Sequence, residues 1–387
     1  MFIFSKTFTC PFCYGQHQDK DCIYRCTYRR NGKTSGGCAK GFVKNPDETI
    51  PSKYISACMK CKDAALIRYC PSGKTDAYGN HYIIPERAIN GNSFPIALVG
   101  AKQSGKSNYI AVLIDAIKSK LSRSINCSLQ FCDQQTNDNY KRMYYDPLFN
   151  NKTAVNATDA NVEFPPLLYS INFFDLKKPK IKDSVTLSLY DTAGENFDNE
   201  DTVYAYNDYI ANAKGIIILL DPLQVDSIRE KLQGKINLPD KNSDSDEILT
   251  RIISAIRSKK KMKENAIIDV PIALTFTKMD VLIQYSELLG LPEFLLHDSS
   301  YLDKGAFLLD DFESTDQAIR DLIDTYLSGN LAVQLRNFSK VGFFGVSSFG
   351  ENPSDGINLS QKPHPFRVLD PLFWLLSLEK YIKTIRG

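Results

Sequence analysis

The chain has 387 residues, 43% of them apolar or aromatic and 24% charged, a balance that supports a sizeable buried core and excludes a disordered or fibrous chain. Its 47 basic and 45 acidic side chains leave a formal charge of +2, which excludes a global field pulling it toward nucleic acid or an anionic membrane. No stretch approaches the roughly 18 apolar residues of a membrane span, and "MFIFSKTFTC" lacks the long apolar region of a secretory signal, so the expectation is a cytoplasmic protein with no membrane partner.

Eight of the ten cysteines fall in the first 70 residues: Cys10, Cys13, Cys22, Cys26, Cys38, Cys58, Cys61 and Cys70. The Cys-x-x-Cys spacing of "CPFC" and "CMKC" lets a tight knuckle point two thiolates at one tetrahedral ion. Residues 1–88 are therefore predicted to be a small zinc-binding domain, ribbon- or treble-clef-like, holding one or two Zn²⁺. The two knuckles can make one four-cysteine site and Cys22, Cys26, Cys38 and Cys70, with His17 or His81 as substitutes, can supply a second, a pairing that the sequence leaves open. The even count also permits a disulfide framework, which a reducing cytosol disfavours. A redox motif wants a preceding thioredoxin-like strand that neither pair has. Cys127 and Cys132 read as plain thiols.

From residue 89 the chain changes character. "FPIALVG" is a short apolar run of strand length, and "SNYIAVLIDAIKSKL" follows with helical spacing. Between them Gly100 to Ser107 spells Gly-x-x-x-x-Gly-Lys-Ser, in the strand-to-helix context that makes a phosphate loop. Gly100 and Gly105 allow torsions and a close approach that a Cβ forbids. The loop residues Gln103, Ser104 and Gly105, with Asn108 behind them, line the same turn, whose N–H groups point at a phosphate. Lys106 reaches the β- and γ-phosphates, and Ser107 ligates Mg²⁺. The polar segment 120–165 reads as a mobile loop, with Thr158 or Thr153 as the metal-contacting threonine.

"LLYSINFF" is predicted to be an antiparallel strand. "VTLSLY" alternates like the next one and ends at Asp191, placed to hold the metal's water shell, with Gly194 near the γ-phosphate. Two helical insertions follow, at about 222–270 and 281–340, around "PIALTFTKMD". Guanine offers N1–H and N2–H₂ along one edge and a carboxylate accepts from both, so Asp280 argues for GTP over ATP. Thr277 and Lys278 flank it, the lysine stem lying over the base. Ser347 and Ser348 end the buried strand "VGFFGV", where an N–H meets guanine O6. "DPLFWLLSLEKYIKTI" reads as a closing amphipathic helix. Together these elements predict a three-layer α/β domain on a mainly parallel sheet over residues 89–387.

The ordered set of Gly100–Ser107, Asp191–Gly194, Thr277–Asp280 and Ser347–Ser348 resembles the signature of Ras-like P-loop GTPases of the translation-factor-related class (TRAFAC). With the cysteine-rich head and long insertions it is most similar to the bacterial double-GTPase (DO-GTPase) family. The resemblance implies a Mg²⁺-dependent GTP/GDP switch that hydrolyses GTP, a bacterial conflict or antiphage role, and a protein partner encoded nearby. Glu195 stands where that pattern most often has a water-orienting glutamine, and Lys102 where many loops have glycine; both are catalytic candidates beside Lys106. An alternative from another class is a zinc head that binds a protein or nucleic acid, carried on a slow or inactive nucleotide scaffold. "YRCTYRR" gives nucleic acid little support.

Overall fold

A computed structural model describes residues 7–18, 21–26, 43–44, 66–73, 82–90, 92–101, 103–156, 165–175, 180–191, 208–241, 245–299, 301–327, 329–353 and 356–387. The head contributes β1 (Thr7–Thr9) and β2 (Gln16–Gln18), an antiparallel pair, and β3 (Ile23–Cys26), β4 (Val43–Lys44) and β5 (Leu66–Tyr69), a second small sheet in the order β4-β3-β5. The main sheet is built from β6 (Asn92–Gly100), β7 (Cys127–Phe131), β8 (Leu167–Phe174), β9 (Ile181–Asp191), β10 (Gly215–Leu220), β11 (Ile272–Phe276) and β13 (Val341–Gly345). A further strand, β12 (Phe307–Leu308), pairs with β14 (Thr384–Ile385).

The seven strands lie in the order β13-β11-β10-β6-β9-β8-β7. The five from β13 to β9 are parallel, while β8 runs antiparallel to both β9 and β7, so "LLYSINFF" has its expected direction. Alternation splits the sheet between two cores, the three-layer arrangement of α/β proteins. Ile96 and Leu98 face the helices Lys106–Ala116 and Asp370–Leu378, and Ala97 and Val99 face the helices Asp226–Leu232, Ser245–Lys260 and Leu309–Tyr326. The chain reaches β9 on one side of β6 and β10 on the other. The carboxyl end of β6 is therefore a point where the strand order reverses, the usual ligand crevice of such sheets.

Two expectations are corrected. Much of segment 120–165 is ordered: after β7, a helix Gln134–Tyr140 runs into a π-helix Lys141–Asn150. Asp133 caps it by accepting from the Thr136 N–H at 2.6 Å, and Tyr140, Tyr144 and Leu148, spaced by four, are buried in the core. The closing helix is also shorter than its pattern. It spans Asp370–Leu378, and Lys380 then takes a left-handed φ of 62°. This turn releases the chain into β14. Trp374 is core, as expected.

Candidate nucleotide-binding site

β6 delivers Gly100 to the crevice, and the helix Lys106–Ala116 leaves it. Gly105 caps that helix with φ 89°, and a Cβ there would meet nothing within 4 Å. The side of the loop a side chain would fill is thus an open cradle at a helix N-terminus, which suits phosphate oxygens. At Gly100 the reason for glycine is contact: a Cβ would lie 2.8 Å from the Leu219 carbonyl. Lys106 is buried and folds back over the loop, its Nζ donating to the Gly100 carbonyl at 2.7 Å and the Ala101 carbonyl at 2.9 Å. The Ser104 hydroxyl is buried inside the turn without a partner. Asn108 points elsewhere: its Oδ1 accepts from the Val155 N–H at 2.8 Å, tying the segment before the expected switch to the loop helix.

On the other flank, Thr277 directly follows β11, and its N–H donates to the Leu220 carbonyl at 2.9 Å. Lys278 takes φ 54° and starts the helix Met279–Gln284. Its Nζ lies 2.6 Å from the Asp221 carboxylate, which also accepts from the Leu223 N–H at 2.9 Å. Sequence reasoning overlooked Asp221; its only signal was an acid directly after the apolar run "GIIILL". Asp280 is buried and accepts from the Ser347 hydroxyl at 2.5 Å, and that hydroxyl in turn accepts from the Gly350 N–H at 2.8 Å. Loop and strand ends thus converge on one carboxylate.

Burial pushes the Asp280 carboxyl up to about 6 from 3.8, against the Ser347 hydrogen bond and the nearby Lys278 charge; Glu351 adds to the rise. Only the ionised form accepts from two guanine donors. Guanine affinity is therefore expected to be flat above pH 7 and to fall through pH 6, by up to about ten-fold per unit further down. A pH series of nucleotide titrations, with Asp280→Glu as comparison, measures this.

The metal side is described in part. Asp191 closes β9 beside Leu98 of β6 in the register, which puts its backbone next to the loop. Ser107 is the second residue of the loop helix. The Thr153 hydroxyl donates to the Pro147 carbonyl at 3.1 Å. Lys102, Thr158, Gly194 and Glu195 lie outside the described residues, and Ser347 and Ser348 follow just past β13.

In the head, the Cys10, Cys13 and Cys70 sulfurs lie within 4.8 Å of one another. Cys70, assigned from sequence to a second site, sits instead against the first knuckle. Hydrogen bonds from Cys10 and Cys13 pull the Cys70 thiol well down, while burial pushes Cys10 up. Cys22 is buried in the same small core. Cys38, Cys58, Cys61 and His81 lie outside the described residues, and Cys26 ends β3. Burial raises Cys127 and Cys132 to about 12, consistent with unreactive thiols.

A phosphate loop after the central parallel strand, with Thr277–Asp280 and Ser347 two and three strands away along the same edge, defines a P-loop GTPase fold. The chain belongs to the Double-GTPase 2 family, whose model matches residues 94–354. Over 360 residues it is 25% identical to SaeC of Mycolicibacterium smegmatis, a proposed ESX-1 scaffolding and assembly protein, covering 87% of this chain and 86% of that one. Among solved structures it is similar to the Arl6 BBS3 small GTPase of Trypanosoma brucei with bound GppNp, at TM-score 0.29 and 12% identity over 76% of this chain and 100% of that one. The GTP-bound GTPase-like domain of S. cerevisiae Ski7 gives TM-score 0.31 and 14% identity over 74% of this chain and 50% of its own. No helix among the described residues is long and apolar enough to cross a membrane.

Proposed function

We propose that the chain binds GTP with Mg²⁺, hydrolyses it to GDP and phosphate, and uses the cycle as a switch for a protein partner. The observation that carries this reading is the shared sheet edge, where the open cradle at Gly105 and the buried Asp280–Ser347 pair follow strands β6, β11 and β13. Lys106 exchanges its two loop carbonyls for phosphate oxygens, helped by the N–H groups of Gln103 to Ser107. Ser107 and Asp191, with Thr158, are the residues that would hold Mg²⁺, which when bound neutralises charge on the phosphates. Gly194 senses the γ-phosphate, Thr277 and Lys278 frame the base, Asp280 accepts from it, and Ser347 and Ser348 close the pocket.

Glu195 accepts a hydrogen bond from the attacking water. Its charge repels the γ-phosphate, so turnover is expected to be slow or stimulated by the partner. Lys102→Ala is expected to change turnover at least several-fold while GTP affinity moves less than about two-fold, a split that single-turnover assays beside equilibrium titrations read directly. Residues 1–88 form the head, which holds zinc, and 89–387 the GTPase domain. The scaffolding and assembly name of SaeC favours a protein partner over nucleic acid; the conflict or antiphage role rests on resemblance. Phosphate release from GTP, with Mg²⁺ and again with excess chelator, tests the function. Turnover indistinguishable from buffer, alone and with the neighbouring gene's product, leaves the scaffold reading, which the SaeC similarity supports.

A further inference from the structure

We propose that Cys10, Cys13, Cys70 and His17 hold one zinc ion, and that this knuckle braces the phosphate-loop strand through Tyr14 and Tyr209. The inference deepens the zinc and nucleotide readings above and rests on both. The sulfurs of Cys10 and Cys70 lie 3.6 Å apart, close to the ~3.8 Å that separates two thiolates each about 2.3 Å from a tetrahedral zinc. His17 on β2 brings Nε2 to 3.1 Å from the Cys13 sulfur; it stands outside the group of three sulfurs that lie within 4.8 Å of one another, and a small shift of its ring would bring it in as the fourth donor. The β1–β2 hairpin has only three residues in each strand, too little to hold such a turn without a cross-link.

The knuckle also faces the GTPase domain. The Tyr14 N–H donates to the Cys10 carbonyl at 2.9 Å and the Cys10 N–H to the Gly15 carbonyl at 3.0 Å, with Tyr14 at φ 57°. A Cβ at Gly15 would stand 2.6 Å from His17 Nε2 and displace the His17 ring. This tight turn projects the Tyr14 ring away from the sulfurs into the core of the main sheet, 5.6 Å from the ring of Tyr209. The Tyr209 hydroxyl accepts from the N–H of Leu98 at 3.1 Å and of Tyr190 at 3.2 Å, and donates to the Ile96 carbonyl. Leu98 lies two residues before Gly100, and Tyr190 directly precedes Asp191. One ring therefore pins the two strands that carry the phosphate loop and the metal-side aspartate, and the knuckle packs on that ring. Tyr14 and Tyr209, both buried in the core, are positioning residues.

The test uses full-length protein, its metal content by mass spectrometry and its affinity for a fluorescent GDP. Tyr14→Ala is expected to keep its zinc yet bind GDP about five-fold more weakly, and Tyr209→Phe to do the same. Cys70→Ser is expected to lose one zinc per chain, and His17→Ala likewise, with His17→Cys restoring it. Wild-type affinity in Tyr14→Ala overturns the brace, and a full zinc complement in Cys70→Ser or His17→Ala overturns the ligand set. A zinc-free wild-type protein means that the zinc reading itself has failed. Wild-type protein that holds zinc but no guanine nucleotide means that the nucleotide reading has failed, with the metal result still standing.

Discussion

Asp280→Asn is expected to weaken GTP binding by about a hundred-fold, the loss of two charge-assisted hydrogen bonds at roughly 1.5 kcal/mol each. The carboxylate is buried and held by Ser347 at 2.5 Å, so its oxygens cannot swing away to be replaced by another acceptor. An asparagine turned to keep the Ser347 bond presents its amide N–H to the guanine donors. The same amide suits xanthine, which has a carbonyl where guanine has an amino group. Xanthosine nucleotides should therefore gain affinity in the variant as GTP loses it. The paired measurement separates altered base reading from unfolding, which weakens both.

Lys106→Ala is expected to cost at least as much, but without regard to the base. The ammonium is the buried positive charge of the loop, bonded to the Gly100 and Ala101 carbonyls; alanine leaves those carbonyls without their donor and the phosphates without their counter-charge. Loss of affinity of about a hundred-fold or more for GTP and xanthosine nucleotides alike is the expected signature. Lys106→Arg should rescue little, because the planar guanidinium does not fit a seat shaped around a single ammonium between adjacent carbonyls. A melting temperature near that of the wild type would confirm that the loss lies in the loop.

The strands β6, β8, β9, β11 and β13 and the loop between β6 and its helix were legible because each strand is a short apolar or alternating run ended by a glycine or polar residue. The hydroxyl bond from Ser347 to Asp280 was not, since the sequence offered Ser347 only as a backbone N–H for the base, and β7 was hidden inside a segment read as a loop. The strand signal survives the insertions: Ile272–Phe276 and Val341–Gly345 are separated by 64 residues and still end side by side. Segment 120–165 was misread because its asparagines and aspartates hide the four-residue spacing of Tyr140, Tyr144 and Leu148. The closing helix was over-extended because "EKYIKTI" continues the apolar spacing past a left-handed residue at Lys380 that spacing does not encode. The Cys70 partnership and the Tyr209 bridge were out of reach for a different reason. Both join residues far apart in the chain, and a tyrosine that satisfies backbone N–H groups of two strands looks, in sequence, like any other.

The most direct test of the guanine assignment is competition. Full-length protein loaded with a fluorescent GDP in Mg²⁺ is titrated with GTP, GDP and ATP. GTP and GDP should displace the probe at comparable concentrations while ATP at a hundred-fold excess leaves it bound. Displacement by ATP at the same concentrations as GTP would contradict the reading of Asp280, and with it the switch built on that residue.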